Sequence, residues 1–274
     1  MARVKVFVSP EGRFGRRQID PLTLLDSGFV RSVADHLEGE TELFALFPSA
    51  QLSEFGAKLG LTHSIPGAAY FEQGGTALAN SKAVFRAVAA GAGVPTSPGA
   101  VCQTAAEAAN AMQRLIDQGH DVMVKKAQHG GAAGNEIVLR TGSPVPTNIG
   151  GRHVHRLTGP DAVGRYWDER WEWASAGGTY PAIVEGLLDV IASCYAEYEV
   201  TDCGVELAGT GRLSYMDRML MSDTLTPAPT EADPHHPLVA GAGALARSYQ
   251  ALGYRGYLCA DAVATVNGKS CSPK

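Results

Sequence analysis

VMVKKAQHGGAAGNEIVL, residues 122–139, is a β-branched run ending in two lysines, then a glycine-rich loop, then a second apolar run. Composition predicts strand, loop and strand. A phosphate needs positive charge and several backbone N–H donors, and glycine lets a backbone approach without a Cβ in the way. Lys125 supplies the charge, and Gly130, Gly131 and Gly134 supply the approachable backbone. Taken alone, the stretch fits a solvated hairpin turn with incidental lysines equally well. The spacing is not that of a P-loop, which needs G-x-x-x-x-G-K-[ST]. GTGRLS and GAGALA elsewhere are chance products of a glycine-rich chain.

Outward from this stretch the pattern is α/β. TAAEAANAMQRLIDQG, residues 104–119, precedes it with a Thr cap, a Glu three residues on, apolar repeats and a terminal Gly, which predicts a helix. Ser81 or Asn80 can cap a helix over residues 81–93. Nearer the N-terminus, Val4–Val8 and Glu42–Phe47 read as strands flanking a helical 28–39. Past the loop, residues 162–178 suggest a Trp-studded helix, and AIVEGLLDVIASCYAEYEV, residues 182–200, reads as strand, link and strand. A Pro-rich loop over 222–237, a helix over 238–253 and a closing strand from Tyr257, expected to lack a partner, complete the chain.

Composition narrows the function classes. With 274 residues, 45% of them hydrophobic, the chain can bury a large core. It has no apolar run near the roughly 20 residues of a membrane span and no signal-peptide order, so a cytoplasmic protein is expected. Five cysteines without C-x-x-C pairing argue against a zinc ribbon or a disulfide framework. A net charge of -5 without a dense basic cluster disfavours nucleic acid and anionic membranes as partners.

Four segments in order, NSKAVFRAVAAGAGVPTSPG (80–99), the 122–139 stretch, AIVEGLLDV (182–190) and GYRGYLCADAV (253–263), resemble the ATP-grasp ligases. VEGLLDVIAS and GYRGYLCAD look most like the peptide ligases of the pheganomycin-biosynthesis type. The resemblance implies an ATP-grasp fold preceded by a small α/β pre-ATP-grasp domain over 1–79, an N-lobe with a phosphate flap over 80–180 and a C-lobe over 181–274. It implies ATP and Mg2+, a small-molecule carboxylate and an amine or peptide as substrates, and ligation through an acylphosphate. An assembly of identical chains is compatible with it.

Residue by residue, Lys82 and Lys125 match the two phosphate-binding lysines, and Gln128–Gly134 the mobile flap. Glu185 stands where the family's linker receives adenine, with a backbone amide at Leu187 or Leu188 donating to the ring. Asp189 is the candidate for the ribose hydroxyls and Asp261 for the first magnesium carboxylate. Arg255 is the candidate for a γ-phosphate or substrate-carboxylate contact through its bidentate guanidinium. The flap has no hydroxyl where several relatives have serine. Relatives also continue past the Asp261 position into an antiparallel strand with a Glu-x-Asn-x-Arg signature, whereas here DAVATVNGKSCSPK reaches the turn and stops. A truncated C-lobe is therefore expected, with a second metal carboxylate lacking. That leaves two classes open: an active ligase, or a catalytically impaired chain that binds nucleotide. His153, His155, His235 and His236 form no matching metal cluster and are expected in loops, and WDERWEW (167–173) is expected in the core.

Overall fold

The computed structural model describes residues 4–15, 20–39, 41–45, 47–130, 132–226, 236–265 and 272–273. After a 3-10 turn at Pro21–Leu25 come α1 (Ser27–Ala34), α2 (Ala50–Lys58), a second 3-10 turn at Thr62–Ser64, α3 (Ala68–Glu72), α4 (Gly75–Ala79) and α5 (Lys82–Gly91). Then follow β1 (Gly99–Cys102), α6 (Ala105–Asp117), β2 (Val122–Lys126), β3 (Asn135–Leu139), β4 (His153–Arg156), α7 (Ala162–Ser175) and β5 (Ala182–Gly186). The remainder is β6 (Val190–Val200), β7 (Val205–Met216), β8 (Met219–Thr226), α8 (His236–Ala251), β9 (Gly256–Thr265) and β10 (Ser272–Pro273).

Two five-stranded sheets result, ordered β1-β5-β2-β3-β4 and β10-β9-β6-β7-β8. Every pairing is antiparallel except β3 with β4. The two-residue period of a strand sorts the side chains of the first sheet between its faces. Val122, Val124, Val138, Ala182 and Val184 meet α6 and α7 in one core that includes Met112, Tyr166 and Trp167. Met123, Ile137 and Leu139 point the other way and pack with Val190 and Val263 of the second sheet. The second sheet is in turn backed by α8, where Cys194, Ala196, Tyr198, Ala260 and Ala262 meet Leu238, Leu245 and Tyr249. One glycine of α8 has a packing reason. A Cβ on Gly243 would lie 3.0 Å from the Tyr198 hydroxyl, which donates to the Val239 carbonyl at 2.7 Å.

Helix α6 forms where its capping signals put it. Thr104 Oγ1 accepts from the Glu107 amide at 3.2 Å, and Glu107 reaches back to the Gln103 amide at 2.7 Å. Thr104→Ala is expected to lower stability by about 1 kcal/mol in urea unfolding, the usual worth of such a cap. An unchanged midpoint would mean that packing alone holds the helix start.

Three expectations need correcting. Val4–Val8 and Glu42–Phe47 enter no strand ladder among the described residues, where segment 1–79 shows only an isolated Gly12–Gly15 bridge. Val4, Val6 and Val8 are 76–87% exposed; alternation without a neighbouring strand makes no sheet. Residues of α3 and α5 instead join the core of the second sheet, through Phe71 and Ala89. The first lobe also extends past residue 180, because β5 lies between β1 and β2. Finally, β9 is not left without partners: it runs along β6 over Gly256–Thr265, and Ser272 and Pro273 pair with Val263 and Ala262.

Candidate nucleotide cleft between the two sheets

The period of two that builds the cores also aims the charges. On β2, Lys126 shares the face of Val122 and Val124, and its ammonium lies 5.0 Å from the Trp173 ring centre. Lys125, one residue earlier, shares the opposite face with Met123 and enters a cleft of about 330 Å3 between the sheets. Lys125 and Lys126 are thus divided, one to each face of the sheet.

Glu185 meets Lys125 there by register. Lys125 is opposite Ile183 and Glu185 lies two residues on, the diagonal neighbour on the same face. The Lys125 ammonium bonds Glu185 Oε1, and Arg86 Nη1 of α5 sits 3.0 Å from Oε2. Lys82 arrives from the first residue of α5, whose start Ser81 caps by accepting from the Val84 amide at 3.3 Å. The Lys82 amide donates to the Ala127 carbonyl at 3.0 Å, fixing the helix start to the loop after β2. Its ammonium bonds the His129 carbonyl.

Burial, with Lys125 adding like charge and Glu185 only partly compensating, pushes the Lys82 ammonium down to about 8. A polyanion held between the two lysines would restore its usual proton affinity. Its binding at pH 8 should therefore take up about half a proton, and affinity should fall as pH rises above 8. Calorimetry in buffers of different ionisation enthalpy reads this directly, and heats independent of buffer at pH 8 would place Lys82 away from the anion.

The flap closes the cleft's upper side. Lys126 donates to the Gly134 carbonyl at 2.8 Å and Asn135 to that of Ala132 at 3.1 Å, which folds the loop back on β2. A Cβ on Gly134 would meet His129 Cβ at 2.4 Å, so this turn requires glycine. Gly130 and Ala132 line the cleft, and Gln128 ties the loop to α4 through the Ala77 carbonyl at 2.8 Å. Gly131 lies outside the described residues.

At the other end is the linker between β5 and β6. The Leu187 amide donates to the Asp121 carbonyl at 2.7 Å, which narrows the expected ring donor to Leu188. Gly186 is likewise committed: its amide donates to Pro98 and its carbonyl accepts from Ser97 Oγ. Leu187, Leu188 and Val190 give this end an apolar lining. Asp189 is exposed and is not part of that lining. From the second sheet come Asp261 and Cys259 of β9, which share a face, and Tyr215 of β7. Burial and the Asp261 charge push the Tyr215 hydroxyl up to about 12, so it stays protonated.

Arg255 is not brought to this cleft. Its Nε binds Asp202 at 2.7 Å, while Nη1 donates to the carbonyls of Gln250 at 2.9 Å and Tyr254 at 2.7 Å. These contacts close the end of α8, where carbonyls without helical partners attract a cation, and the role expected for Arg255 is not carried forward. Sequence reasoning missed Arg86, Tyr215 and Ser97. Arg86 stands four residues after Lys82 on one helix face, a spacing that could have flagged it. Tyr215 and Ser97 carry no such local signal. His155 lies on β4 beside Glu136, His235 lies outside the described residues and His236 opens α8. Trp167 is buried in the core of the first sheet. Among the described residues, no group of three or more His, Cys, Asp or Glu is placed to hold a metal by protein ligands alone. Nor is any helix among them long and apolar enough to cross a membrane.

No protein-family model matches this sequence, and no curated protein is significantly similar to it. Solved structures do match. An ADP complex of the N5-carboxyaminoimidazole ribonucleotide synthetase purK aligns with a TM-score of 0.58 at 13% identity, over 92% of this chain and 56% of that one. Biotin carboxylase from Campylobacter jejuni, complexed with β-γ-ATP, gives 0.60 at 18% identity over 92% and 51%. The biotin carboxylase domain of the Hydrogenobacter thermophilus 2-oxoglutarate carboxylase, solved with MgADP, ADP and bicarbonate, gives 0.52 at 17% identity over 72% and 39%. The chain thus spans about half the length of the first two and less of the third. With two sheets facing across a cleft, and with these structures as its neighbours, the chain has the ATP-grasp fold.

Proposed function

We propose that the cleft binds Mg-ATP and that the chain supports ATP-dependent ligation of a carboxylate to an amine, releasing ADP and phosphate. The observation that carries this reading is the convergence of Lys82, Lys125, the flap and Glu185 on one cleft. Its volume of about 330 Å3 lies within the range of small-molecule sites. Neighbours of the same fold were solved with ADP, MgADP and β-γ-ATP.

In this reading the adenine lies on Leu187 and Leu188, with the Leu188 amide as donor and Glu185 as acceptor. The ammoniums of Lys82 and Lys125 neutralise phosphate charge, and the Gly130 amide in the flap donates to a phosphate oxygen. Two cations on separate elements can balance a triphosphate that one could only tether. Asp189, beside Leu188 at the exposed end, is the group for the ribose hydroxyls. Asp261 is the one carboxylate at the phosphate end assigned to magnesium, which suits a metal that takes one or two carboxylates and completes its shell with phosphate oxygens. Magnesium there would draw charge from the transferring phosphoryl group.

The chain's own residues would orient that group and exclude water, since an acylphosphate formed on the substrate carboxylate is open to hydrolysis until an amine attacks it. No covalent protein nucleophile is needed. The acceptor class that fits the resemblance of VEGLLDVIAS and GYRGYLCAD is an amino acid or peptide, in natural-product peptide assembly. The test is ADP formation from Mg-ATP with pools of carboxylic acids and amines. Release that requires both an acid and an amine is expected. Nucleotide binding with no ADP from any mixture would leave a binding protein in place of a ligase.

A further inference from the structure

Glu185 is gripped from both sides. Lys125 holds Oε1 and Arg86 stands 3.0 Å from Oε2. All three side chains are largely buried, at 8% exposure for Lys125, 12% for Glu185 and 13% for Arg86. One carboxylate therefore carries two cations, one more than neutrality requires. The two cations are mounted differently. Arg86 is anchored a second time, donating through Nη2 to the Ser97 carbonyl at 2.8 Å, and it does not line the cleft. Lys125, one residue before the end of β2, sits on a flexible four-carbon stem and does line it.

We propose that Arg86 is the standing counter-ion of Glu185, a positioning residue that lets Lys125 leave the carboxylate for an incoming phosphate. Removing one member of a buried ion pair strands the other charge. If Lys125 were the only partner of Glu185, each contact it made with phosphate would be opposed by that penalty. With Arg86 fixed in place by Ser97, Glu185 stays compensated and Lys125 can move. The inference rests on the nucleotide reading above and adds to it a residue outside the cleft that sets phosphate affinity without touching the ligand.

The test is a double-substitution cycle read by calorimetry with Mg-ATP, and by ligand-observed NMR with adenosine, which has no phosphate. Arg86→Met should weaken Mg-ATP about tenfold, as expected for a lost charge-assisted contact, and change adenosine binding by less than about threefold. The Glu185→Gln/Arg86→Met pair should bind Mg-ATP within about threefold of Glu185→Gln alone, because no buried charge is left to compensate. Equal losses for adenosine and Mg-ATP in Arg86→Met, or losses that simply add in the pair, would overturn the proposal by showing a merely structural role. Should Arg86→Met fail to fold, the comparison of the pair with Glu185→Gln still decides, and a further tenfold loss in the pair would refute it. Wild-type protein that does not bind Mg-ATP would sink the nucleotide reading and this proposal with it. Wild-type binding that is unchanged in Arg86→Met would sink this proposal alone.

Discussion

Lys125→Ala is expected to weaken Mg-ATP binding about a hundredfold, since a hydrogen bond to a charged group contributes about 1.5–3 kcal/mol. The side chain is 8% exposed and its ammonium is already in contact with Glu185, so its charge acts in a poorly hydrated site where screening is weak. The substitution also shifts the local balance. Lys82, Lys125 and Arg86 face Glu185 and Asp261 in and beside the cleft, and the change removes the one-charge excess of cation over anion. Calorimetric titration against wild type reads the effect, and thermal unfolding checks that the fold survives. Affinity within a factor of about three would mean that phosphates are held elsewhere.

The second large effect concerns stability and does not depend on any ligand. Glu136 is fully buried on the helix side of β3, where Arg170 grips both of its oxygens, Tyr166 donates at 3.0 Å and His155 Nε2 stands 3.2 Å away. Burial alone would raise this carboxyl, but the nearby His155 and the bonds from Arg170 hold it below its ordinary value. Arg170→Met should destabilise the protein by about 3 kcal/mol, because it leaves a buried carboxylate short of its main partner. Adding Glu136→Leu should recover most of the loss, since a hydrophobic replacement of a whole buried pair is often near neutral.

The pH dependence has a definite sign. A depressed carboxyl contributes stability that is present above its unfolded value, near 4.5, and is lost as pH falls through the lower folded value. Wild type should lose stability on acidification below that range, and Arg170→Met should lose less. Urea midpoints at pH 7 and pH 3 read both effects. An unaltered midpoint for Arg170→Met at pH 7 would show that His155 and Tyr166 suffice.

Much of this was legible because the decisive features are local. The Thr104 cap, the apolar run Val122–Val124 ending in lysine and the glycine-rich loop after it are encoded within a few residues, and α6, β2 and the flap follow. Lys82, Lys125, Glu185 and Asp261 each lie in a short motif, and the fold brings them to one cleft. What was missed depends on long-range packing. Val4–Val8 has the alternation of a strand, but a strand also needs a neighbour, and no local pattern supplies one. Arg255 lay in a recognised motif, yet Asp202, 53 residues away, and the end of α8 claim its guanidinium. Arg86 and Ser97 matter through contacts with Glu185 and Gly186, 99 and 89 residues distant. The first lobe's true extent was hidden for the same reason, because β5 pairs with β1 and β2 far earlier in the chain.

The most direct measurement is a crystal structure of the wild-type chain with magnesium and a non-hydrolysable ATP analogue. The account predicts the adenine against Leu187 and Leu188, the phosphates between Lys82 and Lys125 under the flap, and Lys125 turned from Glu185 while Arg86 remains on it. An analogue bound outside this cleft, or phosphates that touch neither lysine, would contradict it.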